Sequence, residues 1–497
     1  MFETAEVGRS VSKTEFEKQA RKLQAELLAV QRQQREAGVP VIVIVSGVET
    51  AGKSQVVKRL NEWLDARSVQ SIAFWDESDE ERERPRQWRF WRQLPAKGTV
   101  AILFGSWYTH PIVDRAYRNI DKDEYNTELS AINALERSLT DNGALVVKLW
   151  FHVSKKEQKR RLKDIAREQK RQLTPYEKAY SKHYDRFVKV SEVALRATDS
   201  GHAPWHIIDA TDRQYRELMA GRILLGAMRE RLAQEKAKEP VGAGHARDRL
   251  RPRAAPTGKF LTVLDKVDLK ATVDEARYQD KLEKYQSRLN KLTWAARERK
   301  ISTVAMFEGW DAAGKGGAIR RVTAAMDARL FRVIPVAAPT DEEKSHHYLW
   351  RFWRHVPRGG YVTIYDRSWY GRVLVERVEG FAQPNEWGRA YAEINEFERQ
   401  LTNHGSCLCK FWLHISPEEQ LARFKERARV AYKKHKITDE DWRNREQWKA
   451  YAGAVDEMVA RTSTDYAPWT LVAANDKKMA RLTVLKTVCD ALEEALD

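Results

Sequence analysis

The sequence predicts an α/β protein of two tandem domains, each a mainly parallel sheet flanked by helices. Two observations carry that expectation: a set of motifs recurs at one constant spacing, and short apolar runs alternate with longer amphipathic stretches. Gly47-Val-Glu-Thr-Ala-Gly-Lys53 returns as Gly309-Trp-Asp-Ala-Ala-Gly-Lys315, an offset of 315 − 53 = 262. Trp88-Arg-Phe-Trp-Arg92 returns as Trp350-Arg-Phe-Trp-Arg354, and Ser106-Trp-Tyr108 as Ser368-Trp-Tyr370, both at 262. Lys148-Leu-Trp-Phe-His152 matches Lys410-Phe-Trp-Leu-His414 at 262, while Ala203-Pro-Trp205 matches Ala467-Pro-Trp469 at 264, a net insertion of two. One domain has been duplicated and fused.

Each copy reads alike from its start. Residues 15–36 and 278–300 form charged amphipathic helices, followed by buried-type strands at 39–45 and 301–307. A glycine-rich turn and a helix come next, then a short second strand at 72–75 or 332–336. Third strands lie at 100–104 and 361–365, and fourth strands at 145–153 and 408–415. Long helical stretches and a last short strand (205–208; 469–472) complete the unit. Residues 240–258, rich in Pro, Gly, Ala and Arg without apolar periodicity, read as the linker between domains 1–239 and 259–497.

Bulk composition agrees with two ordinary globular cores. The 497 residues exceed what one typical core holds, and 42% are hydrophobic. The three cysteines (Cys407, Cys409, Cys489) form no C-x-x-C pair, so neither a disulfide framework nor a zinc site is indicated. The N-terminus is polar and lacks the apolar core of a signal peptide, and the longest apolar run is far short of a membrane span. A cytoplasmic protein with no membrane partner is expected. The net charge of +17 favours a polyanionic partner, but composition does not separate nucleic acid from other polyanions.

The motif Gly-x-x-x-x-Gly-Lys after a strand and before a helix is the P-loop arrangement. Its backbone N–H groups curl around phosphate oxygens, the helix N-terminus adds its dipole, and the lysine reaches the outer phosphates. In the second copy this assigns Gly309, Gly314, Lys315, Gly316 and Gly317 to phosphate binding. The Ser or Thr that usually follows the lysine and ligates Mg²⁺ is absent there, since Gly316 takes its place. Carboxylates must then hold the metal, and Asp311 in the loop and Asp366 at the end of the third strand are the candidate pair. Arg367 and Arg372 follow Asp366 and would clamp the charge of a transferring phosphoryl group.

The first copy lacks most of these groups. At the 262 offset Asp366 becomes Phe104, Arg367 becomes Gly105 and Arg372 becomes His110, although Lys53 keeps the loop lysine. Removing one transition-state donor commonly costs about a hundredfold to a thousandfold in rate, so this half is expected to be silent. It is read as a scaffold that pairs with its sister as an internal pseudo-dimer, or as a polyanion binder; further assembly into a homo-oligomer is left open.

Gly309-Trp-Asp-Ala-Ala-Gly-Lys-Gly-Gly317, Leu349-Trp-Arg-Phe-Trp353, Tyr365-Asp-Arg-Ser-Trp-Tyr-Gly-Arg372 and Lys410-Phe-Trp-Leu-His-Ile-Ser416 resemble the polyphosphate kinase 2 family over nearly all of both halves. The resemblance implies tandem P-loop kinase-like domains with a helical lid. The activity it implies is Mg²⁺-dependent, in-line transfer of a terminal phosphoryl group from inorganic polyphosphate to AMP, giving ADP. It assigns essential roles to Asp311, Lys315, Asp366 and Arg367, and extends them to Arg372. It also places a basic lid after the fourth strand, where Arg423 and Arg427 share one helix face. Trp350, Trp353 and Trp369 read mainly as core, and the His346–His347 pair is given no role.

Two other readings stay open. An ATP-dependent nucleoside monophosphate kinase would share loop, lid and arginines, but Gly316 disfavours it. A non-catalytic nucleic-acid-binding protein would use the charge, yet the basic residues are interleaved with acidic ones and no nucleic-acid motif occurs; no nucleic-acid partner is expected.

Overall fold

The structure, a computed structural model, describes residues 1–168, 175–238, 262–429 and 439–497. The expected linker, 240–258, lies outside these. Among the described residues, β1 (Val41–Gly47), β2 (Val69–Ala73), β3 (Val100–Phe104), β4 (Leu145–His152) and β5 (Trp205–Asp209) form one sheet in the order β2-β3-β1-β4-β5. A second sheet uses β6 (Thr303–Gly309), β7 (Phe331–Pro335), β8 (Val362–Asp366), β9 (Cys407–His414) and β10 (Trp469–Ala473), with the same order β7-β8-β6-β9-β10. Every pairing is parallel, as the alternation of strands and helices requires. The described residues divide into two units, one on each sheet; Ser78–Trp88 belongs to the second unit and Lys344–His347 to the first.

The central strands β1 and β6 are buried along almost their whole length, which is why they read as continuous apolar runs. The edge strands β2 and β7 are half exposed, and their weak patterning displaces the expected bounds by one to three residues. Long helices begin where side chains cap them. Ser12 accepts from Glu15 N ahead of Lys13–Glu36, and Asp274 accepts from Arg277 N ahead of Glu275–Glu298.

The repeated Ser-Trp-Tyr and Lys-x-Trp motifs build the same buried knot in each unit. Lys410 Nζ lies 2.7 Å from Glu398 Oε2, and both side chains are fully enclosed. Tyr370 O–H (2.7 Å) and Trp369 Nε1–H (3.0 Å) donate to the other carboxylate oxygen, and Lys410 also donates to the Thr462 carbonyl at 2.7 Å. In the first unit Lys148, Glu136, Tyr108, Trp107 and Thr198 repeat each contact. A buried charge pair tolerates enclosure only when its remaining lone pairs and protons are satisfied, and here they are. Trp350, Trp353 and Trp369 are buried, so the aromatic motifs serve packing.

Candidate active site

The second unit's site grows from the end of β6. This strand runs on into Gly309, where a Cβ would stand 2.5 Å from the Leu413 carbonyl oxygen of β9, so only glycine lets the two strands approach. The loop then turns through Ala312 (φ +64°) and Gly314 (φ +111°) into the helix Lys315–Thr323. Lys315 folds back and donates to the carbonyls of Gly309 (2.7 Å) and Trp310 (3.3 Å). Beside it, Gly316 has open space where a side chain would stand, whereas Gly317 faces Arg481.

Strand order brings the second carboxylate to the loop. β8 pairs with β6 so that Asp366 sits opposite Phe307, and Arg367 follows in the left-handed region (φ +64°), its N–H given to the Phe307 carbonyl. From there the Arg367 guanidinium reaches Asp311 Oδ1 at 3.4 Å. Asn444 donates to Asp311 Oδ2 at 2.9 Å, and Gln420 donates to the Asp311 carbonyl at 3.1 Å. Asp311, Lys315, Asp366 and Arg367 are therefore gathered at the ends of two adjacent strands.

Glu308, Asn444 and Gln420 belong to the same site and were missed from the sequence. Glu308, the residue before Gly309 in β6, is a buried carboxyl; burial pushes its pKa up, against the 2.8 Å hydrogen bond from Ser368 Oγ and the charges of Lys315 and Arg367. The one signal for it was its replacement by Ser46 in the first copy.

Arg372 stands slightly apart. Its Nε lies 3.2 Å from Glu376 Oε2, and its guanidinium packs 4.6 Å from the centre of the Tyr348 ring. Arg423 calls for a correction. Rather than presenting a free cation to close over phosphates, it is buried and donates to the carbonyls of Ala312 and Ala313 (2.9 Å each), Ala474 (2.7 Å) and Asn475 (2.8 Å). It is a strut for the loop. Arg427 instead lines a cleft of about 180 Å³ with Gly314, Gly317, Lys477 and Arg481, next to the loop.

Mg²⁺ prefers hard oxygen donors, keeps several waters, and is commonly held by one or two carboxylates together with substrate phosphates. Asp311 and Asp366 offer that donor set. No group of three or more His, Cys, Asp or Glu placed to hold a metal occurs among the described residues, so the site does not resemble an all-protein cage.

The first unit keeps the frame and lacks the strand-end carboxylate and arginine. Arg161 repeats the strut, donating to Thr50, Ala210 and Thr211 carbonyls at 2.7–2.8 Å. Lys53 repeats the fold-back onto Gly47 O at 3.0 Å, but Glu49, one methylene longer than Asp311, now pairs with it at 3.2 Å. Phe104 and Gly105 occupy the strand end, and Arg216 lies against Gly52 where the second unit has Ala480.

A parallel sheet with its central strand feeding a glycine loop, a helix and a loop lysine defines a P-loop kinase-like phosphotransferase. The chain belongs to the polyphosphate kinase 2 family, whose family model matches residues 10–236 and again 272–497. It is 48% identical to a polyphosphate:AMP phosphotransferase of Pseudomonas aeruginosa (PAO1), covering 100% of this chain and 99% of that protein. A polyphosphate:AMP phosphotransferase of Acinetobacter johnsonii is 37% identical over 92% of each chain. The crystal structure of a polyphosphate kinase 2 from Pseudomonas aeruginosa PA01 superposes with a TM-score of 0.88 at 46% identity, covering 100% of this chain and 99% of that one. No helix among the described residues is long and apolar enough to cross a membrane.

Proposed function

We propose that this chain is a cytoplasmic polyphosphate:AMP phosphotransferase whose chemistry resides in the second unit. The observation that carries the location is the contrast between the two strand ends: Asp366–Arg367 beside Asp311 and Lys315 in one unit, Phe104–Gly105 in the other. The reaction follows from the names of full-length relatives and from the charge around the loop.

In this reading the donor's terminal phosphoryl group lies at the loop, held by Lys315 and Arg367. The rest of the anion extends into the cleft of Arg427, Lys477 and Arg481. An oxygen of the AMP phosphate attacks in line; one P–O bond forms to AMP while the bridging P–O bond of polyphosphate breaks, leaving the shortened chain as anion. That acceptor oxygen is already ionised, so no strong general base is needed, and positioning with electrostatic stabilisation supplies most of the acceleration. Bound Mg²⁺, held by Asp311 and Asp366, would supply neutralisation of the phosphate charge. Asn444 and Arg367 fix the Asp311 carboxylate from two sides, so its orientation is set before substrate arrives.

The test is ADP formation from AMP by the purified chain with Mg²⁺ and polyphosphate, run beside ATP as donor. ADP from polyphosphate alone supports the reading. ADP only with ATP replaces it by a nucleoside monophosphate kinase, and product from neither overturns it.

A further inference from the structure

The first unit contains the larger cavity, about 640 Å³ against about 70 Å³ at the equivalent place in the second. The difference has a residue-level cause. In the second unit Trp310 stacks on Trp448 with ring centres 3.7 Å apart and packs against Trp412 and His414. In the first unit, which has Val48 there, the Phe2 ring packs against the matching Trp150 and His152, so the added volume lies where other side chains differ. Around the opened space the polar groups have been exchanged for aromatic or small ones. Phe104 stands for Asp366, Tyr180 for Asn444, Phe187 for Tyr451, Gly105 for Arg367 and Ser46 for Glu308.

The cations Lys53 and Arg89 at this cavity each have a carboxylate of the protein beside them, and Asp76 adds a further negative charge. Lys53 pairs with Glu49 at 3.2 Å, and Glu77 lies 4.0 Å from Arg89 and 3.9 Å from His110. A phosphate-sized excess of positive charge, present beside the second unit's loop, is missing here. What remains suits a flat ring: Phe74, Phe90, Phe104, Tyr108 and Trp150 present apolar faces and edges, with Asp76 and Thr109 as polar contacts. Trp150 also carries a buried indole N–H with no hydrogen-bond partner among the described residues. The volume lies within the roughly 300–1,000 Å³ usual for small-molecule sites, which combine apolar walls with a few polar groups.

We propose that this cavity of the first unit is a binding site for an uncharged planar heteroaromatic ligand of nucleoside size, distinct from the phosphotransfer site. The duplicated copy has exchanged a charged reaction centre for a ring-binding pocket on the same frame. This does not depend on the transfer reaction, since every lining residue named lies in the first unit.

The test uses the full chain and adenosine as probe, by isothermal titration calorimetry. One saturable site per chain is expected, weakened at least tenfold by Val113→Trp, which fills the cavity, and by Phe104→Asp, which returns a charge to its wall. Affinity is expected to be unchanged in Lys315→Ala and Asp366→Asn. Near-ultraviolet circular dichroism checks that each variant is folded, and Phe104→Asp decides if Val113→Trp is not. Absence of saturable binding at millimolar adenosine overturns the proposal. So does binding that survives both cavity variants, or binding that disappears with Lys315→Ala. A chain that fails to make ADP yet binds adenosine in this pattern would sink the transfer reading and leave this one standing.

Discussion

Arg423 donates through Nη1 to the carbonyl of Ala312, a residue held at φ +64° in the middle of the phosphate-binding loop. The same relationship joins Arg161 to Thr50, at φ +68°, in the unit without a strand-end carboxylate. A contact that persists where the strand-end carboxylate and arginine are absent serves the loop's shape.

Arg423 and Arg427 should therefore fail differently. Arg423→Ala leaves four carbonyls short of a charged donor and is expected to cost on the order of 2–4 kcal/mol of stability together with most of the activity. Arg427→Ala is expected to raise KM for polyphosphate several-fold with an unchanged melting temperature. Thermal melts alongside steady-state kinetics separate the two, and equal melting temperatures for both variants would refute the strut.

Lys315→Ala and Asp366→Asn are each expected to lower turnover at least about a hundredfold. Lys53→Ala, in the first unit, is expected to leave it within about twofold. A large loss in Lys53→Ala, or near-normal turnover in Asp366→Asn, would move the chemistry out of the second unit.

The buried Lys410–Glu398 pair makes a stability prediction. Lys410→Met alone strands a carboxylate in the core and should cost about 3–5 kcal/mol, whereas Lys410→Met with Glu398→Leu should recover much of that loss. Chemical denaturation of the single and double variants measures the difference; a double variant less stable than the single by the full cost of a second mutation would contradict it.

His414 supplies a pH dependence. Burial pulls its pKa down from 6.5 to about 4, and its Nδ1 accepts the Trp310 indole N–H at 2.9 Å, which requires the neutral ring. The unfolded chain takes up this proton near pH 6.5 while the folded one resists until about pH 4, so stability falls as pH drops through that window. The full loss is about 3 kcal/mol. Urea midpoints between pH 7 and 4.5 should show this slope reduced in His414→Gln, which keeps an acceptor and does not titrate. An identical slope in both proteins would contradict it.

Much of this was legible in the sequence, and the reason is local. The strands β1 and β6, the glycine turn and the strand-end Asp366 each announce themselves within ten residues, and the repeat supplies each twice. Asn444 and Gln420 did not, because they reach Asp311 from helices 133 and 109 residues further along, placed by packing. Arg423 was misjudged for a related reason. A shared helix face with Arg427 says nothing about which end of that face the loop covers, and burial decides whether a guanidinium meets carbonyls or ligand.

Each sheet takes all five strands from one contiguous stretch, so synthesis order separates two sets of homologous strands that would otherwise compete for partners. The last strand of the first sheet ends at Asp209 and the first strand of the second begins at Thr303, an interval of 303 − 209 = 94 residues. At ribosomal rates of about 5–20 residues per second this is a lead of roughly 5 to 20 seconds. During that interval β1 can find β3 and β4 on the ribosome before β6 exists to intrude. A circular permutation that interleaves the halves would remove the lead and expose the chain to mispaired sheets.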